Sequence, residues 1–300
     1  MAPVACCQYR SEAARDECFA WIDAQAKREW PVSSESRTVP TSFGPTFVRI
    51  SGPPGGFPLV LLPGVATSSL MWAPNIEALS AAFRTYAVDR IGDFGKSLCT
   101  RPPRSFNDLI SWITEFLDAL DLRRGVHLLG ISYGGALAAE YALQCPSRVR
   151  RLVLIAPGAT VLAVSPGLML RLAVAAVSRR RGLASLLRWL LEDAARKDPR
   201  WIGATLDQYR LHMRSTLRMV PMPRVWSDAD WGRLSVPTLF LVGEHEKIYS
   251  PTKAIERLER VAPAVRGERI AGAGHDLIFV AAAAVNRSIV DFLNDSAPNP

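Results

Sequence analysis

Short, almost wholly apolar runs alternate with helical patterns through the middle of the chain, and this alternation restricts the fold most. The apolar runs lie at 58–62, 86–88, 126–131 and 152–155, with helical patterns at about 106–120 and 134–144. Strands without a polar face must be covered on both faces, as in parallel sheets. The sequence therefore predicts an α/β fold with a mostly parallel central sheet and helices on both faces.

Weaker patterns flank this region. The runs 37–43 and 46–51 predict a hairpin, because Gly44-Pro45 between them is a turn signal. Residues 11–30 have near-helical spacing that stops at Pro31, which indicates an amphipathic helix. The remaining signals are strands at 237–242 and 269–270 and a last helix at 285–293.

Residues 158–225 break the alternation, because they are helical in pattern and contain no strand candidate. An insertion carried on the sheet explains this change. The predicted organisation is a helical extension at 1–35, a core at 36–157 and 226–296, a helical cap at 158–225 and a tail at 297–300. Single cores rarely grow beyond ~250–300 residues, which fits one core with one insertion in a chain of 300.

The excess positive charge of the chain is confined to the predicted cap. Residues 158–225 hold twelve Arg and Lys but four Asp and Glu, whereas the rest of the chain is balanced. Without a recognisable module or interleaved aromatic residues, this charge does not indicate a nucleic-acid partner. Contact of a basic amphipathic helix at 167–191 with an anionic membrane surface stays open as an alternative.

Membrane insertion and a disulfide framework are not expected. The uncharged stretch 152–170 is interrupted by Pro157-Gly158 and Pro166-Gly167, which are turn signals, and the first thirty residues lack a secretory pattern. The five cysteines are odd in number and follow no metal-ligand spacing. We expect reduced thiols, no metal and a cytoplasmic location.

The motif Gly130-Ile-Ser132-Tyr-Gly134 follows one apolar strand and precedes a helix. A serine on such a sharp turn has strained backbone angles, and small residues two positions before and after it avoid clashes. The turn exposes the serine hydroxyl at the carboxyl edge of the sheet. In this context the motif indicates a nucleophile rather than an ordinary loop.

Four more motifs occur in a fixed order around it: Leu61-Leu-Pro-Gly-Val65, Asp89-Arg-Ile-Gly-Asp-Phe-Gly-Lys-Ser97, Gly243-Glu-His-Glu246 and Gly272-Ala-Gly-His275. Over about residues 36–295 the chain resembles the α/β-hydrolase superfamily, and within it the capped, carboxylesterase-like serine esterases. The resemblance covers the oxyanion loop, the nucleophile turn, the acid loop and the histidine loop.

The resemblance implies a role for each matching residue. Ser132 is the expected nucleophile, His275 the base and Glu246 the acid that orients it, in the chain order of this fold. The expected oxyanion donors are the backbone N–H groups of Val65 and Tyr133. Glu244 in the same loop is the alternative acid.

The other histidines and the aspartates near the motifs are expected to have structural and not catalytic roles. His127 is expected in the core or at a strand edge, and His212 on a solvated helix face. His245 neighbours Glu246 in the acid loop and is a competing candidate for the base, although adjacency to the carboxylate is poor geometry for a proton relay. Asp89 and Asp93 are expected to hold a loop.

The expected function is hydrolysis of a small or medium apolar carboxylic ester through an acyl-enzyme, with no cofactor. Thioesterase, lactonase, acyltransferase and C–C hydrolase activities on the same triad remain alternatives, as does a ligand-binding protein without turnover. The expected partner is a small-molecule ester. The sequence leaves the oligomeric state open.

Overall fold

A computed structural model describes residues 8–216 and 221–295, and the predicted tail and Cys6 and Cys7 lie outside them. The core is one eight-stranded sheet in the order β1-β2-β4-β3-β5-β6-β7-β8. Its strands are β1 (Ser34–Val39), β2 (Thr46–Ser51), β3 (Pro58–Leu62), β4 (Arg84–Val88), β5 (Val126–Ile131), β6 (Val149–Ile155), β7 (Thr238–Gly243) and β8 (Val265–Ile270). Pairing is antiparallel for β1 with β2 and β2 with β4, and parallel elsewhere.

Helices cover both faces of this sheet, as the apolar strands predict. The α-helices are α1 (Glu12–Glu29), α2 (Ala73–Ala82), α3 (Phe106–Ala119), α4 (Tyr133–Gln144), α5 (Pro166–Leu190), α6 (Glu192–Lys197), α7 (Pro199–Ser215), α8 (Asp228–Gly232), α9 (Pro251–Val261), α10 (Leu277–Val280) and α11 (Ala282–Asn294). Alternate residues of β3 face opposite layers: Leu59 and Leu61 pack with α2 and α11, and Val60 and Leu62 with α3 and α4. The predicted fold class is confirmed.

The segment between β6 and β7 contains α5, α6, α7 and α8. We call residues 158–225 the cap segment. The first half of α5 is apolar but exposed at Met169, Leu170, Leu172 and Val177. No helix within 8–216 and 221–295 combines the length and the apolar character that a membrane crossing requires.

The first helix, α1, joins the cap segment to the core. Asp23 of α1 pairs with Lys96 at 2.7 Å, and Glu17 pairs with Arg214 at the end of α7. Cys18 and Ile22 are fully buried beside Leu70 and Leu211. The helix is therefore packed on both neighbours through its apolar face.

Candidate active site

Ser132 occupies a sharp turn between β5 and α4. Its φ is 51° and ψ is −117°, a conformation that L-residues rarely adopt. Backbone bonds hold it there, because its N–H donates to the Ile155 carbonyl at 2.9 Å and its carbonyl accepts from Gly158 at 2.9 Å. The strained backbone of Ser132 is thus held in place by β6 and by the start of the cap segment.

The two glycines of the motif are sterically required. A Cβ on Gly130 would lie 2.2 Å from the Gly134 carbonyl oxygen, and a Cβ on Gly134 would lie 2.3 Å from the Leu62 carbonyl oxygen. Both positions meet backbone that cannot move aside. This explains the glycine spacing around Ser132.

His275 and Glu246 contact each other from adjacent loops. Glu246 follows β7, His275 follows β8, and the Nδ1 atom of His275 lies 2.9 Å from the Oε2 atom of Glu246. Both side chains are buried. The Oε1 atom of Glu246 accepts from the backbone N–H groups of Lys247 at 2.8 Å and Ile248 at 2.9 Å. These bonds fix the carboxylate against the imidazole.

Glu246 and His275 each shift the pKa of the other. Burial by itself lowers the pKa of the His275 imidazole, but the charge and hydrogen bond of Glu246 more than offset this and hold the pKa above its usual value. Burial raises the pKa of the Glu246 carboxyl, but His275 and the two backbone donors outweigh it and hold the pKa below its usual value. The ionised carboxylate therefore stabilises an imidazolium.

Glu244 has a different contact. Its Oε2 atom accepts from the backbone N–H of Gly272 at 3.0 Å, which links the acid loop to the loop that precedes His275. The neighbouring His245 binds Asp193 of α6 at 3.1 Å between Nδ1 and Oδ2. Neither side chain is the one that contacts His275 Nδ1.

Of the other two histidines, one was predicted correctly and one was not. His127 is buried on β5 against Phe57 and Phe83, and burial lowers its pKa to about 4. The expected solvated position of His212 is wrong. Its side chain is 14% exposed and packs edge-on against Phe94, because α7 turns this face toward the core.

The loop after β3 runs beside Ser132. A Cβ on Gly64 would lie 3.8 Å from the Ser132 Cβ, so the two segments are in contact. The Gly64 carbonyl accepts from Thr67 Oγ1 at 2.9 Å, and Ala66 has a φ of 58°. Val65, between them, is partly exposed. Asp93 holds this loop by accepting from the Ala66 N–H at 2.9 Å, as expected.

Ser132 and His275 line one cavity of about 160 Å³. The cavity lies where the loops after β3, β5 and β8 meet the helices above them, at the carboxyl edge that commonly carries ligand sites in such sheets. Its other lining residues are Trp21, Gln25, Glu29, Gly64, Val65, Thr67, Leu70, Met71, Ile131, Leu187, Leu190, Leu191, Ala204, Thr205, Gln208, Tyr209 and Phe279. Most of these side chains are apolar or uncharged.

Several lining residues were missed by sequence reasoning. Gln208 and Tyr209 line the cavity but belong to no sequence motif. The residues from α1, such as Trp21, were recognised only as part of an amphipathic helix. No local signal identifies them, because they reach the cavity through long-range packing.

Within the described part of the chain, no group of three or more His, Cys, Asp or Glu side chains has an arrangement that could hold a metal ion. The cysteines among those residues, Cys18, Cys99 and Cys145, form no disulfide. Besides Ser132 and His275, the polar side chains that line the cavity include hydroxyl, amide and phenol groups and the carboxylate of Glu29.

Residues 59–288 match the model of the alpha/beta hydrolase family, and the chain belongs to this family. It is 34% identical over 267 residues to the carboxylesterase YbfK of Bacillus subtilis, which covers 88% of this chain and 89% of that protein. It is 32% identical over 272 residues to the uncharacterized carboxylesterase nap of the same organism, covering 88% of each.

Solved structures agree with this assignment. The crystal structure of carboxylesterase CesB (YbfK) from Bacillus subtilis superimposes with a TM-score of 0.84 at 32% identity, over 94% of this chain and 99% of that one. The crystal structure of naproxen esterase from the same organism gives 0.86 at 31% identity, over 95% and 100%. These relatives support ester hydrolysis by an α/β-hydrolase.

Proposed function

We propose that this α/β-hydrolase is a carboxylic-ester hydrolase that acts on small or medium apolar esters through an acyl-enzyme. Ser132 is the nucleophile, His275 the general base and Glu246 the carboxylate that orients it. The observation that carries the proposal is the Glu246–His275 contact of 2.9 Å beside the strained Ser132 turn. Strain at a serine in a cavity is typical of a reacting group.

The proposed reaction has two steps. The Ser132 hydroxyl oxygen attacks the ester carbonyl carbon while its proton passes to His275, and the protonated imidazole then gives that proton to the leaving alcohol. A water molecule next loses a proton to His275 and attacks the acyl carbon. The bond from this carbon to the Ser132 oxygen breaks, His275 returns the proton to that oxygen, and the acid is released. Glu246 stabilises the imidazolium in both steps.

The negative charge on the substrate oxygen requires preorganised donors. We assign the backbone N–H groups of Val65 and Tyr133 to this role, because Val65 lies on the loop beside Ser132 and Tyr133 begins α4 directly after it. The leucines of the cap segment, Leu187, Leu190 and Leu191, supply an apolar wall for the substrate. An uncharged, apolar ester fits these surroundings.

We propose the organisation that the sequence indicated: an extension at 1–35, a core at 36–157 and 226–296, a cap at 158–225 and a tail at 297–300. The insertion of α5 to α7 between β6 and β7, above the cavity, supports the cap boundaries. A cytoplasmic location is proposed from the absence of any disulfide pattern among the five cysteines.

The direct test is turnover of aryl esters of increasing acyl length by the wild type and Ser132→Ala. The variant should fold normally and lose activity by several powers of ten, because binding and the oxyanion donors alone retain little catalysis. Thioesters and lactones of the same size serve as the comparison. Near-normal ester turnover by purified Ser132→Ala would disprove the mechanism, and faster turnover of thioesters or lactones would reassign the substrate.

A further inference from the structure

We propose that Gln208 and Tyr209 of α7 are positioning residues that hold the oxyanion loop in its active shape. They would act through the backbone of Val65 and Ala66, without touching the reacting atoms. This proposal rests on the proposed function, because it concerns the oxyanion donor at Val65. Nothing in the sequence motifs indicates either residue.

The peptide between Val65 and Ala66 is bound at both ends. Its carbonyl, on Val65, accepts from the Tyr209 hydroxyl at 3.2 Å, and its N–H, on Ala66, donates to Asp93 Oδ2 at 2.9 Å. The next carbonyl, on Ala66, accepts from Gln208 Nε2 at 3.0 Å. Two adjacent residues of one helix therefore hold two successive carbonyls of the loop.

The loop needs such support because its backbone is strained. Ala66 has a φ of 58°, which disfavours every residue except glycine, so a relaxed loop would adopt other angles. Thr67 Oγ1 donates to the Gly64 carbonyl, which belongs to the same peptide as the Val65 N–H. Because a trans peptide holds its C=O and N–H on opposite sides, these bonds fix the direction of that N–H.

On the core side, buried groups hold the Val65 loop. Asp93 is 2% exposed and pairs with Arg90, and its Oδ1 atom accepts from the Phe94 N–H at 2.8 Å. The guanidinium group of Arg90 lies over the Tyr133 ring, 4.1 Å from its centre. Asp93 and Arg90 thus connect the Val65 loop with the start of α4, where the second donor lies.

On the cap side, the hydrogen bonds to the Val65 loop come from α7, which also lines the cavity. Gln208 and Tyr209 are half-buried, and α7 is tied to α1 by the pairing of Arg214 with Glu17. The position of α7 therefore sets the geometry of the Val65 loop. In this arrangement the cap segment contributes to transition-state stabilisation as well as to the apolar wall.

A positioning role predicts a defect confined to the transition state. Loss of an oxyanion donor costs ~100- to 1000-fold in kcat, and a displaced donor should cost less. We expect Tyr209→Phe and Gln208→Ala each to lower kcat roughly tenfold while KM stays within about threefold, because ground-state binding is unaffected. The combined variant should lose less than the product of the single effects, since both act on one loop.

The experiment measures kcat and KM for one aryl ester, together with inhibition by a trifluoromethyl ketone and by the phenol product. The ketone forms an oxyanion on Ser132, so its affinity should fall by the same factor as kcat/KM, whereas product affinity should not change. Tyr86→Phe, on β4 and outside the cavity lining, is the matched control for loss of a tyrosine hydroxyl. Asp93 is left intact, because its removal would leave the buried charge of Arg90 unpaired.

A KM that rises with kcat unchanged, or equal losses of ketone and product affinity, would overturn the inference, because either result would show that the two residues only form part of the cavity wall. If Tyr209→Phe does not fold in thermal melts, Gln208→Ala carries the same test alone. Ser132→Ala is measured in parallel. An inactive Ser132→Ala beside a normal Tyr209→Phe rejects the positioning role only, whereas an active Ser132→Ala rejects the proposed function.

Discussion

The two glutamates of the loop after β7 differ in what they bind. Glu246 contacts His275, whereas Glu244 accepts from the Gly272 backbone. We expect Glu246→Gln to lower kcat by ~10³- to 10⁴-fold, because the imidazolium loses its counter-charge and the wrong tautomer becomes accessible. Glu244→Gln, the matched control, should cost less than about tenfold, since an amide oxygen can also accept from Gly272.

The measurement is kcat for both variants on one aryl ester, with thermal melts to show that both are folded. A larger loss in Glu244→Gln than in Glu246→Gln would reverse the assignment of the acid. Loss of folding in either variant would show as a lowered melting temperature rather than as a change in kcat alone.

The protonation of His275 predicts a pH profile. The base must be neutral, so kcat/KM should rise with pH as His275 loses its proton. Because Glu246 holds the pKa of the imidazole above its usual value of ~6.5, the midpoint of this rise should lie above that of an ordinary histidine. The profile of kcat/KM between acid and mildly alkaline pH measures it.

Residual activity of Glu246→Gln supplies the control for this profile. Removing the carboxylate removes the charge that raises the pKa of His275, and burial then lowers it, so the midpoint should move to lower pH. A wild-type profile that is flat from acid to neutral pH would contradict a histidine base. A midpoint that does not move in the variant would contradict the coupling.

At the residue scale, the sequence predicted what local geometry dictates and no more. The glycine spacing around Ser132 is a steric requirement of one turn, so it is visible in five consecutive letters. The contacts of Gln208 and Tyr209 join residues more than 140 positions apart and depend on where α7 packs. Such contacts leave no local pattern.

Among the elements, α1 forms part of the cavity wall, which its sequence did not predict. It lies outside the residues that match the family model, but Trp21, Gln25 and Glu29 line the cavity. We expect Trp21→Ala to raise KM for bulky aryl esters about three- to tenfold, because a large ring is lost from the wall. The kcat for a small acetyl ester should change little, since the ring is not assigned a role in the chemistry.

Trp30→Ala is the matched control for this change. Trp30 follows the same helix, donates to Ser51 at 3.2 Å and does not line the cavity. The measurement is KM for a small and a bulky ester with both variants. Equal effects of the two substitutions, or a wild-type KM for the bulky ester in Trp21→Ala, would contradict a wall formed by α1.

The elements that sequence patterns predicted well are those with one dominant period. The strands β3 and β5 are buried on both faces, and they read as apolar runs that only His127 of β5 interrupts. The edge strand β8 was recognised only at its last two residues, because its middle (Arg266, Gly267, Glu268) faces partly outward and reads as a loop. The helices α2 and α9 were also missed.

In the whole molecule, the cap segment contributes to the cavity through its position and not through its positive charge. The cap segment carries the excess of Arg and Lys, but none of the described residues that line the cavity is Arg or Lys. Arg181 is exposed, and Arg171 lies over the Trp189 ring. The described basic side chains of the cap segment therefore do not line the cavity, whereas its leucines and the Gln208–Tyr209 pair do.

The central claim is that Ser132 becomes covalently modified during turnover, and one measurement tests it most directly. The wild type is treated with a serine-directed aryl phosphonate and analysed by intact mass and peptide mapping. Our account predicts one phosphonyl group per chain, located on Ser132, with loss of esterase activity in proportion to labelling and no label on Ser132→Ala. An unlabelled wild type that hydrolyses esters, or an equally labelled Ser132→Ala, would contradict it.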